Sequence, residues 1–440
     1  ARTGIFMVDA SKGFVKDGNK NRLRSQDLHK IVDAFTKQVE IDKYSRMVPL
    51  AEIEKHGFNL NIPRYIDSSE PEDLQDIEAH LKGGIPVRDV DELGEFWQVL
   101  PAVRDTLFGP GDREGYLTPL VDASGVKSAI LDHAEFTTFT DRVTAVFEDW
   151  RAAHIDRLRG IAIGDKPKDL IAEISEDLLD RFKPVPLIDG YDVYQHLMTY
   201  WAEVMQDDTY VLVQDGWAAG KVIRELVKNA DGKFSETPDI TLGRRKLKAE
   251  LIPPALIVAR FFAAQQAALE ALEAKAEEAA RAVEELDEEH GSEDGLLFDA
   301  KTDKGKLTAK SVKDRTRDIR TDKDAAEERA MLKTCLALIE AEAAAAKAVK
   351  EAQAALDAVV VAQYAKLSEA EVKLLLVEDK WLAQVRGDVL AEVDRVSQAL
   401  AGRVKVLAER YATPLPKLAE DLDVLSARVA AHLKRMGFAA

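Results

Sequence analysis

A single cysteine, Cys335, occurs in 440 residues. That excludes an internal disulfide and any metal site made of several thiolates, and it fits a reducing, cytoplasmic setting. Cys335 falls beside Leu332, Leu336 and Ile339 at helical spacing, where a thiol packs as a small apolar group. Aromatic residues are scarce at 7%, against 32% charged and 46% hydrophobic. Such a chain builds its interior from Leu, Val and Ala and shows Glu, Lys and Arg to water, so a mainly α fold is expected. No apolar run approaches the ~18 residues that cross a bilayer, and the first residues lack the basic start and apolar core of a secretory signal. A soluble protein without a membrane partner is expected. Positive charge is in deficit, with a formal net charge of -18. This excludes a surface that grips nucleic acid everywhere and leaves only local basic patches for that task. The length implies two or three structural units.

What is present begins with Gly4-Ile5-Phe6-Met7-Val8-Asp9, an unbroken run of buried-strand type. A basic loop follows, in which Lys12, Lys16, Lys20, Arg22 and Arg24 face Asp17 alone; it either touches phosphate or is simply solvated. Ser25 has the chemistry of a helix N-cap, and Leu28, Ile31, Val32 and Phe35 follow at i, i+3, i+4 and i+7. Farther on, Phe58, Leu60 and Ile62 alternate with Asn59 and Asn61, which predicts a strand that Pro63 ends. Strand, helix and closing strand describe the edge of an α/β sheet. The chain opens on Ala1 without a methionine and enters a strand at once, which reads as a fragment.

The segments IFMVDASKGFVKDGNKNRLRSQDLHKIVDAF, EIDKYSRMVPLAEI and GFNLNIPRYID together resemble the end of the catalytic domain in the modification (M) subunit of type I restriction–modification systems. The last segment, KWLAQVRGDVLAEVDRVSQALAGRVKVLAERYATPLPKLAEDLDVLSARVAAHLKRMGF, resembles the helical tail of the same subunits. Those subunits are adenine-N6 DNA methyltransferases that use S-adenosylmethionine. The resemblance implies that residues 1–67 are the last strands and helix of a Rossmann-like methyltransferase sheet. In that family a Gly-rich loop for the methyl donor and an Asn-Pro-Pro-aromatic motif lie upstream of the VDAS strand, and neither occurs here. The double proline Pro253-Pro254 lacks the Asn and the aromatic and reads as a helix start. No catalytic or cofactor-binding residue is therefore expected in this chain, which should be inactive alone, S-adenosylmethionine serving the parent enzyme. The implied partners are a specificity subunit, a second M subunit, a motor and nuclease subunit, and double-stranded DNA.

Residues 68–253 read as a helical region with an aromatic-rich insert. Leu93, Phe96, Trp97 and Leu100 mark a helix stopping at Pro101, Gly109-Pro110-Gly111 a break, and Phe136 to Trp150 a strong helix. His154 lies at helical spacing from Trp150 with no ligand partner at i+4, so it is expected to pack or face solvent. Asp207 to Val213 suggests a turn and then a short strand or helix edge. Tyr191, Tyr194, Tyr200, Trp201, Tyr210 and Trp217 make either a stacking platform or a small core.

Residues 254–367 carry the clearest periodicity. Phe262, Leu269, Ala276 and Val283 recur by heptads, with Leu272, Ala279 and Leu286 interleaved. Leu332, Ile339, Ala346, Val360 and Leu367 repeat this beside Leu336, Ala343, Val349 and Leu356. An antiparallel coiled-coil arm of roughly 45 to 50 Å is predicted. Its tip, 287–324, is charged and expected to be partly disordered. Nine Lys or Arg and four Asp lie between Lys301 and Lys323. Lys310, Lys313, Arg315, Arg317 and Arg320, with Arg64 and with Lys20, Arg22 and Arg24 of the first loop, are the candidates for DNA contact, unless the tip merely faces water.

Residues 368–440 start with the capping box Ser368-Glu369-Ala370-Glu371. Leu382, Val385, Val389, Val396 and Leu400 form one stripe, and Leu422, Leu425, Val429 and Leu433 a second after Pro414 and Pro416, with Gly437 as a C-cap. These residues are the candidates for subunit docking in a helical hairpin. Two other readings stand beside the M-subunit one: a structural coiled-coil protein unrelated to any enzyme, and a free-standing nucleic-acid binder.

Overall fold

The computed structural model describes residues 3–69, 74–229 and 231–437. These are mostly helical, with four small antiparallel sheets of two or three strands. The chain divides into two compact units, Ala1–Val213 with Trp381–Ala440, and Gln214–Lys380. This partition cuts across the four consecutive segments expected from composition.

In the first unit, β1 (Gly4–Val8) lies antiparallel to β4 (Ser45–Pro49), with Phe6 opposite Met47. Between them run a hairpin, β2 (Val15–Asp17) and β3 (Lys20–Arg22), and helix α1 (Ser25–Lys37). Helix α2 (Leu50–Lys55) follows β4. Met7, Val48, Ile53, Tyr65 and Ile66 form a small core.

The strand expected at 58–62 is absent. Gly57 and Phe58 both take left-handed φ, at 61° and 60°, as the chain leaves α2. The Asn59 side chain accepts the Asn61 amide at 2.9 Å, and Ile62–Arg64 is a 3-10 turn. Asparagine's local hydrogen bonding thus outcompetes the alternation. Phe58 and Leu60 are left 64% and 53% exposed.

Helix α1 departs from expectation at both its start and its face. Arg24, not Ser25, takes the N-cap position, with the Asp27 carboxylate accepting the Arg24 amide at 2.8 Å. Its polar side is the buried one: Gln26 bonds Gln195 and Asp192, and Asp33 bonds Lys183 and Tyr191, all on or next to helix Gly190–Tyr200. Leu28, Val32, Phe35 and Val39 are 44 to 61% exposed along one stripe.

Most of the unit's apolar interior comes from long helices. Helix Ala134–Arg159 buries Phe136, Phe139, Val143, Phe147, Trp150 and Leu158, and the Trp150 indole donates to the Ile174 carbonyl at 2.9 Å. His154 is buried against Trp150 and 2.7 Å from the Asp177 carboxylate. Gly109 and Pro110 lie in a strand, Phe108–Pro110, paired with Tyr116–Pro119, and Pro101 starts a helix. Residues 206–215 are helical, continuing helix Gly190–Tyr200 through a π-helical turn at Trp201–Met205, so Asp207 and Asp208 lie inside one continuous helical run and not at the expected turn. Tyr194 and Trp201 are buried filling, while Tyr210 is exposed; Trp217, in the second unit, is buried as well.

In the second unit, Pro254 opens a helix as its missing N–H permits. Helices Ala263–His290 and Ala326–Tyr364, ~42 and ~58 Å long at 1.5 Å per residue, then pack side by side. Leu286 packs near Leu332 and Cys335 at one end, and the Tyr364 hydroxyl donates to the Ile252 carbonyl at the other, so they run in opposite directions. The first helix turns inward the expected residues, from Phe262 through Leu286. The second does not in its alanine run: Ala343 and Ala346 are exposed, and Glu342 and Ala345 are half-buried instead. A run of identical small residues offers no hydrophobic contrast to define a register.

The tip is folded, contrary to expectation. Leu297, Ala300, Val312, Ile319, Leu332 and Cys335 form a buried cluster under helix Ala309–Asp318, whose Thr308 caps it through the Ser311 amide at 3.1 Å. Cys335 is a packed thiol, as the sequence pattern predicted.

Candidate nucleic-acid and subunit interfaces

The β2–β3 hairpin closes through Gly18 and Asn19, with Gly18 at φ 58°. Every residue from Val15 to Leu23 is exposed. Lys16 donates to Asn21 across the strands at 2.7 Å, and Arg22 lies 3.5 Å from Asp17. That last pair is about 70% exposed on both sides and contributes little. Lys20 has no carboxylate partner among the described residues. Arg24 is different: its guanidinium donates twice to Asp27 at 2.9 Å, which raises the Arg24 pKa through that hydrogen bond and removes it from the candidates for phosphate contact.

Arg64 is exposed beside Tyr65, whose ring is buried and whose hydroxyl donates to the Asn59 carbonyl. The half-buried Arg46 donates to the Tyr65 carbonyl at 2.9 Å and to Glu52 at 2.7 Å, so the NIPRY segment is locked onto β4 and α2. A cleft of about 540 Å³ opens here between Glu40 to Arg46 and Tyr65 to Asp67. A smaller one of about 240 Å³ adjoins it at Lys43, between Asp9, Lys12 and Ser68. Asp9 is held below the usual carboxylate range by hydrogen bonds from Ser11 and Ser68. No glycine-rich strand-to-helix turn borders either cleft among the described residues, and charged side chains line both, Glu40, Asp42, Arg46 and Asp67 in the larger and Asp9 and Lys12 in the smaller. These residues do not fit S-adenosylmethionine.

At the tip, the five candidates separate. Arg315 is tied to Glu328 at 2.6 Å and Asp299 at 2.9 Å, Lys313 to Glu340 at 2.8 Å, and Arg317 to Asp314 at 3.2 Å. Lys310 and Arg320 are exposed without a carboxylate partner among the described residues. Counted over the whole folded cap, 287–324, nine basic residues meet eleven acidic ones. The basic run is thus neutralised by the acidic turn that folds against it.

The docking candidates separate as cleanly. Leu382, Val385, Val389, Val396 and Leu400 are buried, 0 to 3% exposed, where helix Ala383–Arg410 packs on helices Ala134–Arg159 and Gly190–Tyr200. They are core, not a free face, because the sequence stripe says that a helix has a partner but not which one. Glu392 on this helix is buried with His196 at 2.8 Å and Arg395 at 2.6 Å. The expected hairpin partner is unlike it. Helix Leu415–Arg435 buries no residue, and Leu422, Leu425, Val429 and Leu433 are 40 to 64% exposed. It starts at Pro414, leans on helix Ile77–Lys82 and ends before Gly437 at φ 86°. Sequence reasoning missed the apolar stripe of α1 as an exposed surface; its period was visible, but a period does not say what covers it.

No single helix among the described residues is long and apolar enough to cross a membrane. No solved structure matches the chain. The family model described as N-6 DNA Methylase matches residues 1–74. Two curated relatives match: the methylase subunit of type I restriction enzyme MpnII of Mycoplasma pneumoniae, 30% identical over 75 residues, and that of MjaVII of Methanocaldococcus jannaschii, 33% identical over 81 residues. The matches cover 17% and 18% of this chain and 14% of each relative's length. Over its amino-terminal part the chain is similar to N-6 DNA methylases and to the methylase subunits of type I restriction enzymes, and it spans only a small part of the length of those relatives.

Proposed function

We propose that this chain is the carboxyl-terminal portion of the M subunit of a type I restriction–modification system. The intact subunit transfers a methyl group from S-adenosylmethionine to adenine N6 of double-stranded DNA. This chain contributes the last elements of a Rossmann-like sheet and a helical extension, its coiled-coil arm included, that assembles the complex and helps to enclose DNA. The specificity subunit is its direct partner, with a second M subunit and the motor and nuclease subunit completing the assembly.

One observation carries the reading. Within the 74 residues that match the methylase family, β1 has one partner strand among the described residues and α1 turns Leu28, Val32 and Phe35 to solvent. A strand with an open edge beside an exposed apolar helix stripe is the surface of a domain completed by further sheet. The tail helix Leu415–Arg435, with its own uncovered stripe, supports docking of another helical subunit. Co-expression with the specificity subunit of the same system tests this: a stable complex is expected, lost on Leu422→Glu with Val429→Glu. Failure of the unmodified chain to retain that subunit would refute the assembly role. Methylation of DNA by this chain alone would refute the assignment of the methyl-transfer site to the rest of the subunit.

A further inference from the structure

We propose that the β2–β3 ribbon grips the phosphate backbone of a DNA duplex, an assignment that rests on the methylase reading for its choice of DNA. The ribbon packs neither face against the unit, since Val15 through Leu23 are all exposed. A two-stranded hairpin without a packed face is marginal by itself, so its order is best used where a partner meets it.

Its charge says which partner. Residues paired across the strands share a face. Val15 pairs with Arg22 and Asp17 with Lys20, which places Arg22 and Lys20 on one face, and Lys16 opposite Asn21 lies on the other. Cations therefore project from both faces, with the exposed Lys12 just before the ribbon and Asp17 as its one acid. A β-ribbon fits the major groove, which is ~12 Å wide, and cations on both faces then reach the two phosphate walls. The cap at 287–324 carries eleven acidic residues against nine basic ones, whereas the ribbon, 15–23, carries Lys16, Lys20 and Arg22 against Asp17 alone. In a chain of net charge -18, an outward ribbon of this kind places positive charge ahead of the acidic body.

The test is fluorescence anisotropy of the full chain on a short labelled duplex over a range of salt. The triple variant Lys16→Gln, Lys20→Gln, Arg22→Gln changes only exposed side chains, and its circular dichroism and thermal midpoint should match the parent. Removing three phosphate-binding cations should flatten the slope of log K against log salt by about 2.7 and weaken binding at least tenfold at ~50 mM salt. A cap triple, Lys304→Gln, Lys306→Gln, Lys310→Gln, should leave both unchanged. An unaltered slope in the ribbon variant, an equal loss in the cap variant, or no binding by the parent chain would each overturn the proposal. So would displacement by polyglutamate as effective as by unlabelled duplex, which would make the partner an acidic polypeptide. A chain that keeps its specificity subunit but ignores DNA refutes the ribbon alone; one that binds DNA through the ribbon but never takes that subunit refutes the assembly reading alone.

Discussion

Replacing Leu297 by Ala should open the cap while leaving the rest of the second unit folded. Leu297, Val312, Leu332 and Cys335 are each 0% exposed in one small cluster. The Leu→Ala change removes buried methyl groups that little else can replace, at a cost of about 3 kcal/mol, or roughly 100-fold in the opening equilibrium. The cap supplies its own assay, because trypsin cuts after Lys and Arg and nine of these lie between Lys301 and Lys323. In the parent chain the bonds after Lys310, Lys313, Arg315 and Arg317 lie in helix Ala309–Asp318, which the Arg315 pairs with Glu328 and Asp299 tie down. Cleavage there should accelerate about 100-fold in the variant when it proceeds through the open state, while cleavage within Ala134–Arg159 keeps its rate. Rapid cutting of the parent chain within helix Ala309–Asp318 would refute a folded cap, and equal rates in both proteins would refute the role assigned to Leu297.

The same opening should expose Cys335, whose thiol is pushed up by burial, with Asp287 adding to it. Its reaction with a disulfide reagent should be slow in the parent and accelerate in Leu297→Ala in step with proteolysis; a fast parent reaction would contradict the packing. Asp33→Asn should lower the urea midpoint by the equivalent of about 2 kcal/mol near neutral pH. Burial by itself would raise the Asp33 carboxyl, but hydrogen bonds from Lys37, Lys183 and Tyr191 overcome it and hold the group well below its usual value. A depressed folded pKa contributes stability above the unfolded value of about 3.9 that fades as pH falls below it. The difference between parent and variant should therefore shrink in acid, and a gap that is independent of pH would exclude the ionic account. His196 has its pKa raised by the hydrogen bond to Glu392. Its contribution is full below the unfolded value of about 6.5 and is lost as pH rises through the higher folded one, so His196→Gln should cost stability at about pH 6 and little at about pH 9. A penalty that grows with pH would contradict this.

How much of the fold is legible in the sequence depends on whether neighbouring residues differ enough to define a face. Between Phe262 and Leu286 the predicted inward residues, Leu, Val and Ala, are separated by Glu, Lys and Arg, and they are the ones that turn inward. Across Glu342 to Ala348 the residues are nearly all alanine, and the predicted register slips by one there. Phe58 and Leu60 look like a strand until the Asn59 side chain is counted as a competitor for the backbone. The cap looks disordered when its charge is counted over the basic stretch alone; adding Asp287 to Asp299 nearly balances it and supplies Leu297 to the core. The sequence stripes on Ala383–Arg410 and Leu415–Arg435 look alike, yet one is interior and the other open. Periodicity reports an apolar face, and only the tertiary arrangement reports its partner. For the candidate sites, residue type named the cations, but the geometry separated Arg24 and Arg315, held by carboxylates, from Lys20 and Lys310, which are not.

The most direct test is native mass spectrometry of the chain co-expressed with its system's specificity subunit, with and without Leu422→Glu and Val429→Glu. An M subunit docking through its tail helix predicts a complex of both chains for the parent and separate chains for the variant, whose thermal midpoint stays unchanged because both residues are exposed. A parent chain that never associates, or a variant that associates just as well, would contradict the account.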